Sequence, residues 1–153
     1  MTACRLLRIA TILMAIAFIG PTVSFAGQPE IYAGAIRGVA INGYDPVAYF
    51  TQEKAVAGSA EITTQWKGVI WRFASQANRD SFATEPEKYA PQYGGYCAYA
   101  VALGSTASTD PQAFSIVNGK LYLNNSMSVR GAWAKDSAGY ISKGDANWPG
   151  VLK

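Results

Sequence analysis

The chain of 153 residues contains no histidine. That omission excludes imidazole acid–base catalysis, Ser-His and Cys-His nucleophile pairs, and every metal site with a histidine ligand. Cysteine is nearly absent as well: Cys4 and Cys97 are the whole set. Charge is sparse, with 15% Asp, Glu, Lys and Arg and a formal net charge of +3. Setting aside Arg5 and Arg8 in the N-terminal segment, the 13 Lys and Arg fall to 11 against 10 Asp and Glu. A balance that close to neutral gives no electrostatic basis for binding nucleic acid or an anionic membrane.

What is present begins with the N-terminus. "MTACRLLR" is short and basic, "IATILMAIAFIG" is a charge-free apolar run, and "PTVSFA" ends in Ser24 and Ala26 at small-residue spacing. This is the layout of a secretory signal, with cleavage expected after Ala26. The twelve residues of the run would span about 18 Å as a helix, short of a hydrocarbon core of ~30 Å. The expected organisation is a signal over 1–26, a flexible leader over 27–36 and one domain over 37–153. The expected location is periplasmic or secreted, with no stable membrane anchor after cleavage. Cys4 would leave with the signal. Cys97 would then be alone, unable to form an internal disulfide, and open to an intermolecular partner or to life as a free thiol.

The rest of the chain reads as α+β, with short antiparallel hairpins packed against several helices. "DPVAYF" predicts a short helical turn with Asp45 as its cap and Pro46 at its start. "AEITTQWKGVIWRFAS" predicts a hairpin turning at Lys67-Gly68, because Ile62, Thr64 and Trp66 alternate before the turn and Val69, Trp71 and Phe73 after it. Ser75 caps a helix that breaks at Glu85-Pro86. Asn118-Gly119 is the preferred two-residue turn, and it predicts a second hairpin between "AFSIV" and "KLYL". The tail reads as one or two helices with Val129, Trp133 and Tyr140 on an apolar stripe, closed by Trp148-Pro149. "YGGYCAYAVALG" fits either a helix or a strand, since so short an apolar run cannot be assigned by periodicity. As a helix it would put Cys97 in the first turn, where free N–H groups favour a thiolate; the plainer expectation is a buried small hydrophobe, as free cysteines usually are.

The strings "GYDPVAYF", "NRDSF", "PEKYAPQYGGYCAYA" and "ANWP", in that order, resemble the YHS-domain family, and more narrowly its exported, single-domain, bacterial-type branch. The resemblance runs from about Arg37 to Trp148. It implies an α+β fold and, from YHS modules attached to metal-transport proteins, a role in metal handling. Some members of the exported branch carry selenocysteine; a match of that position to Cys97 would imply redox chemistry there. The chain departs from the metal-handling pattern at its cysteine positions, which hold Ala48, Ala74 and Asn78. A thiolate site for copper or zinc needs several sulfur or imidazole ligands converging. No cofactor is therefore expected, and no copper or zinc ion.

The candidate site residues are Cys97, Tyr93, Tyr96, Tyr99, Tyr44, Asp45 and Arg79. The tyrosines would line a pocket near Cys97, mostly apolar with a few placed hydroxyls. Arg79 could pair with an anion, and Asp45 serves most simply as a cap. The resulting expectation is a non-enzymatic periplasmic module that binds or senses a small molecule or a periplasmic protein. The alternatives are a redox protein using the Cys97 thiol, and metal handling by family analogy.

Overall fold

The computed structural model describes residues 27–153, so the signal expected over 1–26 lies outside the described residues. The order of elements is α1 (Ala48–Thr51), β1 (Ser59–Trp66), β2 (Val69–Phe73), α2 (Gln76–Thr84), α3 (Pro86–Tyr89), α4 (Ala98–Ala102), β3 (Asp110–Val117), β4 (Lys120–Asn124), α5 (Met127–Ala134) and α6 (Ser137–Asn147). The fold is α+β: two antiparallel two-stranded hairpins with helices packed on them. No helix among the described residues is long and apolar enough to cross a membrane.

Both hairpins turn where the sequence places them. Lys67 and Gly68 have φ of 49° and 77°, and Asn118 and Gly119 have 50° and 72°. Two successive positive φ values make the turn whose twist matches paired strands. Trp66 then faces Val69, and Val117 faces Lys120. Each hairpin also carries a register shift farther from its turn, between Ser59 and Thr63 and between Asp110 and Phe114.

Helices α2, α5 and α6 start on caps from the side chain just before them. Ser75 Oγ accepts from the Asn78 N–H at 3.1 Å, Ser126 Oγ from the Val129 N–H at 3.2 Å, and Asp136 Oδ1 from the Gly139 N–H at 3.0 Å. Each supplies an acceptor to a donor the helix itself cannot satisfy. The predicted break falls at Glu85, where ψ is 62° and Pro86 starts the next turn. The tail resolves into two helices, α5 and α6.

Strand β4 divides the interior into two cores. Leu121 and Leu123 enter a cluster with Tyr49, Trp71, Phe73 and Phe82. Tyr122, pointing the other way, enters a second cluster with Tyr93, Tyr96, Val101 and Trp133. The period-2 alternation of a strand assigns its side chains to two faces, and here both faces are covered. Leu121, Tyr122, Leu123 and Asn124 are all buried as a result.

The segment read as a flexible leader carries fixed partners. Ile31 is buried in the first core. The Gln28 N–H donates to Leu152 O at 2.7 Å, the Tyr32 N–H to Gly94 O at 2.9 Å, and the Tyr96 hydroxyl to Pro29 O at 2.8 Å. The alternation signal needs a longer run than this stretch offers, so its docking has no periodic signature.

Candidate functional site

The seven candidate residues do not converge on one site. Asp45 has no solvent exposure. Its Oδ1 accepts from the N–H groups of Val47 at 2.8 Å and Ala48 at 3.3 Å, at the start of α1. Its Oδ2 accepts from the Ala74 N–H at 2.8 Å and from Asn78 Nδ2 at 2.7 Å. One carboxylate thus ties α1 to the end of β2 and the start of α2, satisfying the demand that a buried charge be hydrogen-bonded. Tyr44, its neighbour, is half-buried and packs on the first core. Arg79 points elsewhere: its Nε and Nη2 bind Asp80 Oδ1 at 3.0 and 2.7 Å on the surface.

Ala48, Ala74 and Asn78, the positions where the resembled pattern would carry cysteine, gather around that same carboxylate. The residues present do not fit a soft metal. Ala48 and Ala74 supply only backbone N–H groups, Asn78 turns its amide nitrogen inward, and both carboxylate oxygens are already engaged. Among the described residues, no group of three His, Cys, Asp or Glu side chains is placed to hold a metal ion.

Cys97 stands 1% exposed as the cap residue of α4. Its Sγ lies 3.7 Å from Asn124 Oδ1, which also accepts the Tyr99 N–H at 3.2 Å. Asn124, on the Tyr122 side of β4, therefore caps α4 from across the core. Tyr99 is half-buried and stacks on Tyr140, with ring centroids 5.0 Å apart. Cys97 lines neither of the two clefts described below.

Tyr93 and Tyr96 stand where the chain runs through a left-handed turn. Tyr93, Gly94 and Gly95 have φ of 55°, 60° and 84°. Glycine is required at 94 for a second reason: a Cβ there would collide with the Glu30 carbonyl oxygen of the docked leader. The Tyr93 hydroxyl, with one proton to share, faces two acceptors, Asp145 Oδ1 at 2.9 Å and Ile141 O at 3.2 Å. Burial first, and then Asp145, push its ionisation well above the usual phenol range. Burial likewise raises Tyr96, with Tyr32 adding to it.

Beside Tyr93 lies an open cleft of about 320 Å³. Trp66, Tyr93 and Trp148 give it aromatic walls; Lys67, Lys120 and Glu87 bring charge to it. Lys67 is occupied, bound to Glu30 Oε1 at 2.6 Å and lying 4.8 Å from the centroid of the Trp66 ring. Lys120 and Glu87 belong to no ion pair among the described residues. Trp66 and Lys120 flank the two hairpin turns and Lys67 lies in the first, so the turns determine where the cleft's two lysines and one of its walls stand. Of the sequence candidates, Tyr93 alone lines this cleft. The sequence reading missed Trp66, Trp148 and Lys120 as site residues; their signals were the turn positions and the closing Trp148-Pro149.

No protein-family model, no curated protein and no solved structure matches the chain.

Proposed function

We propose that this protein is an exported, YHS-like, non-enzymatic binding module, and that its ligand sits in the cleft beside Tyr93. The observation that carries the reading is the lining itself: three aromatic rings around a concave space, with Lys120 and Glu87 in no ion pair. A volume of about 320 Å³ lies within the range of small-ligand sites. Aromatic faces pack against the apolar faces of a ring, while one cation and one carboxylate select polar substituents at its edge. The matching ligand class is a small hydroxylated acid, of which a sugar acid is the simplest example. Its carboxylate would meet Lys120, and its hydroxyls would donate to Glu87.

The redox alternative has less support. Cys97 is 1% exposed and its thiol is engaged with Asn124. Thiol oxidation requires access and thiolate character.

The test is a titration of the protein with galacturonate, followed by intrinsic fluorescence from Trp66 and Trp148. Saturable quenching that is lost in Lys120→Met supports the reading. Equal response to neutral galactose, or an unchanged response in the variant, contradicts it.

A further inference from the structure

A second cleft, of about 390 Å³, shares no lining residue with the first. Its walls come from α1, with Tyr49 and Phe50, and from β3, with Phe114, Ser115 and Ile116. Tyr49 stacks on Phe114 with centroids 4.8 Å apart, and Phe50 meets Tyr89 edge-on at 5.5 Å. The aromatic wall is therefore fixed before any ligand arrives. Ile116 is 37% exposed on it.

Two opposite charges stand on this apolar wall. Arg130, from α5, donates its Nε to Ser115 Oγ at 3.2 Å. That bond orients the guanidinium and leaves its Nη pair for a second partner. Glu53 is exposed in the turn after α1, with φ of 52°. Neither residue takes part in an ion pair among the described residues, with each other or with any third group.

We infer that this second cleft binds a small zwitterion with an apolar body, of which a free aromatic or branched-chain α-amino acid is the simplest member. The carboxylate pairs with the Nη face of Arg130, the ammonium with Glu53, and the side chain lies on Phe50, Phe114 and Ile116. Opposite charges on one cleft, not paired with each other, select for a ligand bearing both charges. A ligand with one charge leaves the other residue unanswered.

The experiment is a titration of the ¹⁵N-labelled protein with L-phenylalanine, read from amide shifts. The matched controls are 3-phenylpropionate, which lacks the ammonium, and phenethylamine, which lacks the carboxylate. Arg130→Met and Glu53→Gln are titrated in parallel, with melting curves to confirm that each is folded. The expected result is saturable shifts at Phe114, Ser115, Ile116 and Arg130. Each control ligand and each variant should bind about tenfold more weakly or worse, the loss expected for a charged hydrogen bond. Saturation by 3-phenylpropionate at the same concentration overturns the inference. So does unchanged affinity in a folded Arg130→Met, or a set of shifts centred on Trp148 and Lys120.

Discussion

Cys97 Sγ lies 3.7 Å from Asn124 Oδ1, and the same oxygen accepts the Tyr99 N–H. A residue at the end of β4 thus holds both the thiol and the first turn of α4. The lone cysteine is buried, 1% exposed, with its thiol against Asn124. Its thiol should accordingly be silent in the native state. Peptide mapping after treatment with a thiol reagent should find Cys97 unmodified until denaturant is added. Rapid modification of Cys97 in the folded protein would revive the redox alternative.

Removing Asn124 should cost stability. Asn124→Ala leaves the buried Cys97 thiol and Tyr99 N–H without an acceptor. The loss of the acceptor is expected to cost about 1–3 kcal/mol. A urea unfolding curve reads this directly, and a midpoint equal to the parent's would show that the cap contributes nothing.

Asp45 carries a heavier burden, because four donors converge on one buried carboxylate. Asp45→Ala should destabilise the domain by roughly 3 kcal/mol or more, since each charge-assisted bond contributes about 1.5–3 kcal/mol and the losses are not additive. Circular dichroism during urea unfolding measures it. A change below ~1 kcal/mol would mean that water replaces the carboxylate at little cost.

Gly94 is where the leader docks. A Cβ there meets the Glu30 carbonyl oxygen, and the backbone has φ of 60°. Gly94→Ala should therefore release residues 28–32. Limited proteolysis should cut that segment faster than in the parent while the 37–153 domain stays intact. Unchanged cleavage would contradict the docking described here.

Tyr49 and Tyr93 both have hydroxyl ionisation raised, first by burial. The neutral phenol is the form the fold stabilises, and the unfolded chain ionises near 10. Stability from these groups is full below that pH and falls as pH rises through it. A phenolate absorbance titration should show these two of the nine tyrosines ionising only as the fold is lost. Tyr93→Phe should shift the alkaline transition upward. A single wave near pH 10 with circular dichroism unchanged would contradict the raised values.

The hairpins, the caps and the break at Glu85-Pro86 were legible because each is a local matter of turn chemistry, capping or alternation. The α4 segment was not, since five apolar residues fit two periods equally well. Of the candidate cleft, only Tyr93 was legible. Tyr96 and Tyr99 pack in the same second core as Tyr93, but of these only Tyr93 also lines the cleft. Trp66, Lys120 and Trp148 meet across long sequence separations, and single-chain spacing holds no record of such convergence. Asp45 accepts through Oδ1 from the Val47 and Ala48 N–H groups, a local contact that the Asp-Pro pair suggests. Its second oxygen, which gathers Ala74 and Asn78, depends on β2 returning beside α1.

The measurement that bears most directly on the central claim is galacturonate binding at the cleft beside Tyr93. Titration calorimetry on the parent, on Lys120→Met and on Trp148→Ala should show saturable binding in the parent alone. Binding that survives both substitutions, in variants with parental melting curves, would contradict the assignment of that cleft as the ligand site.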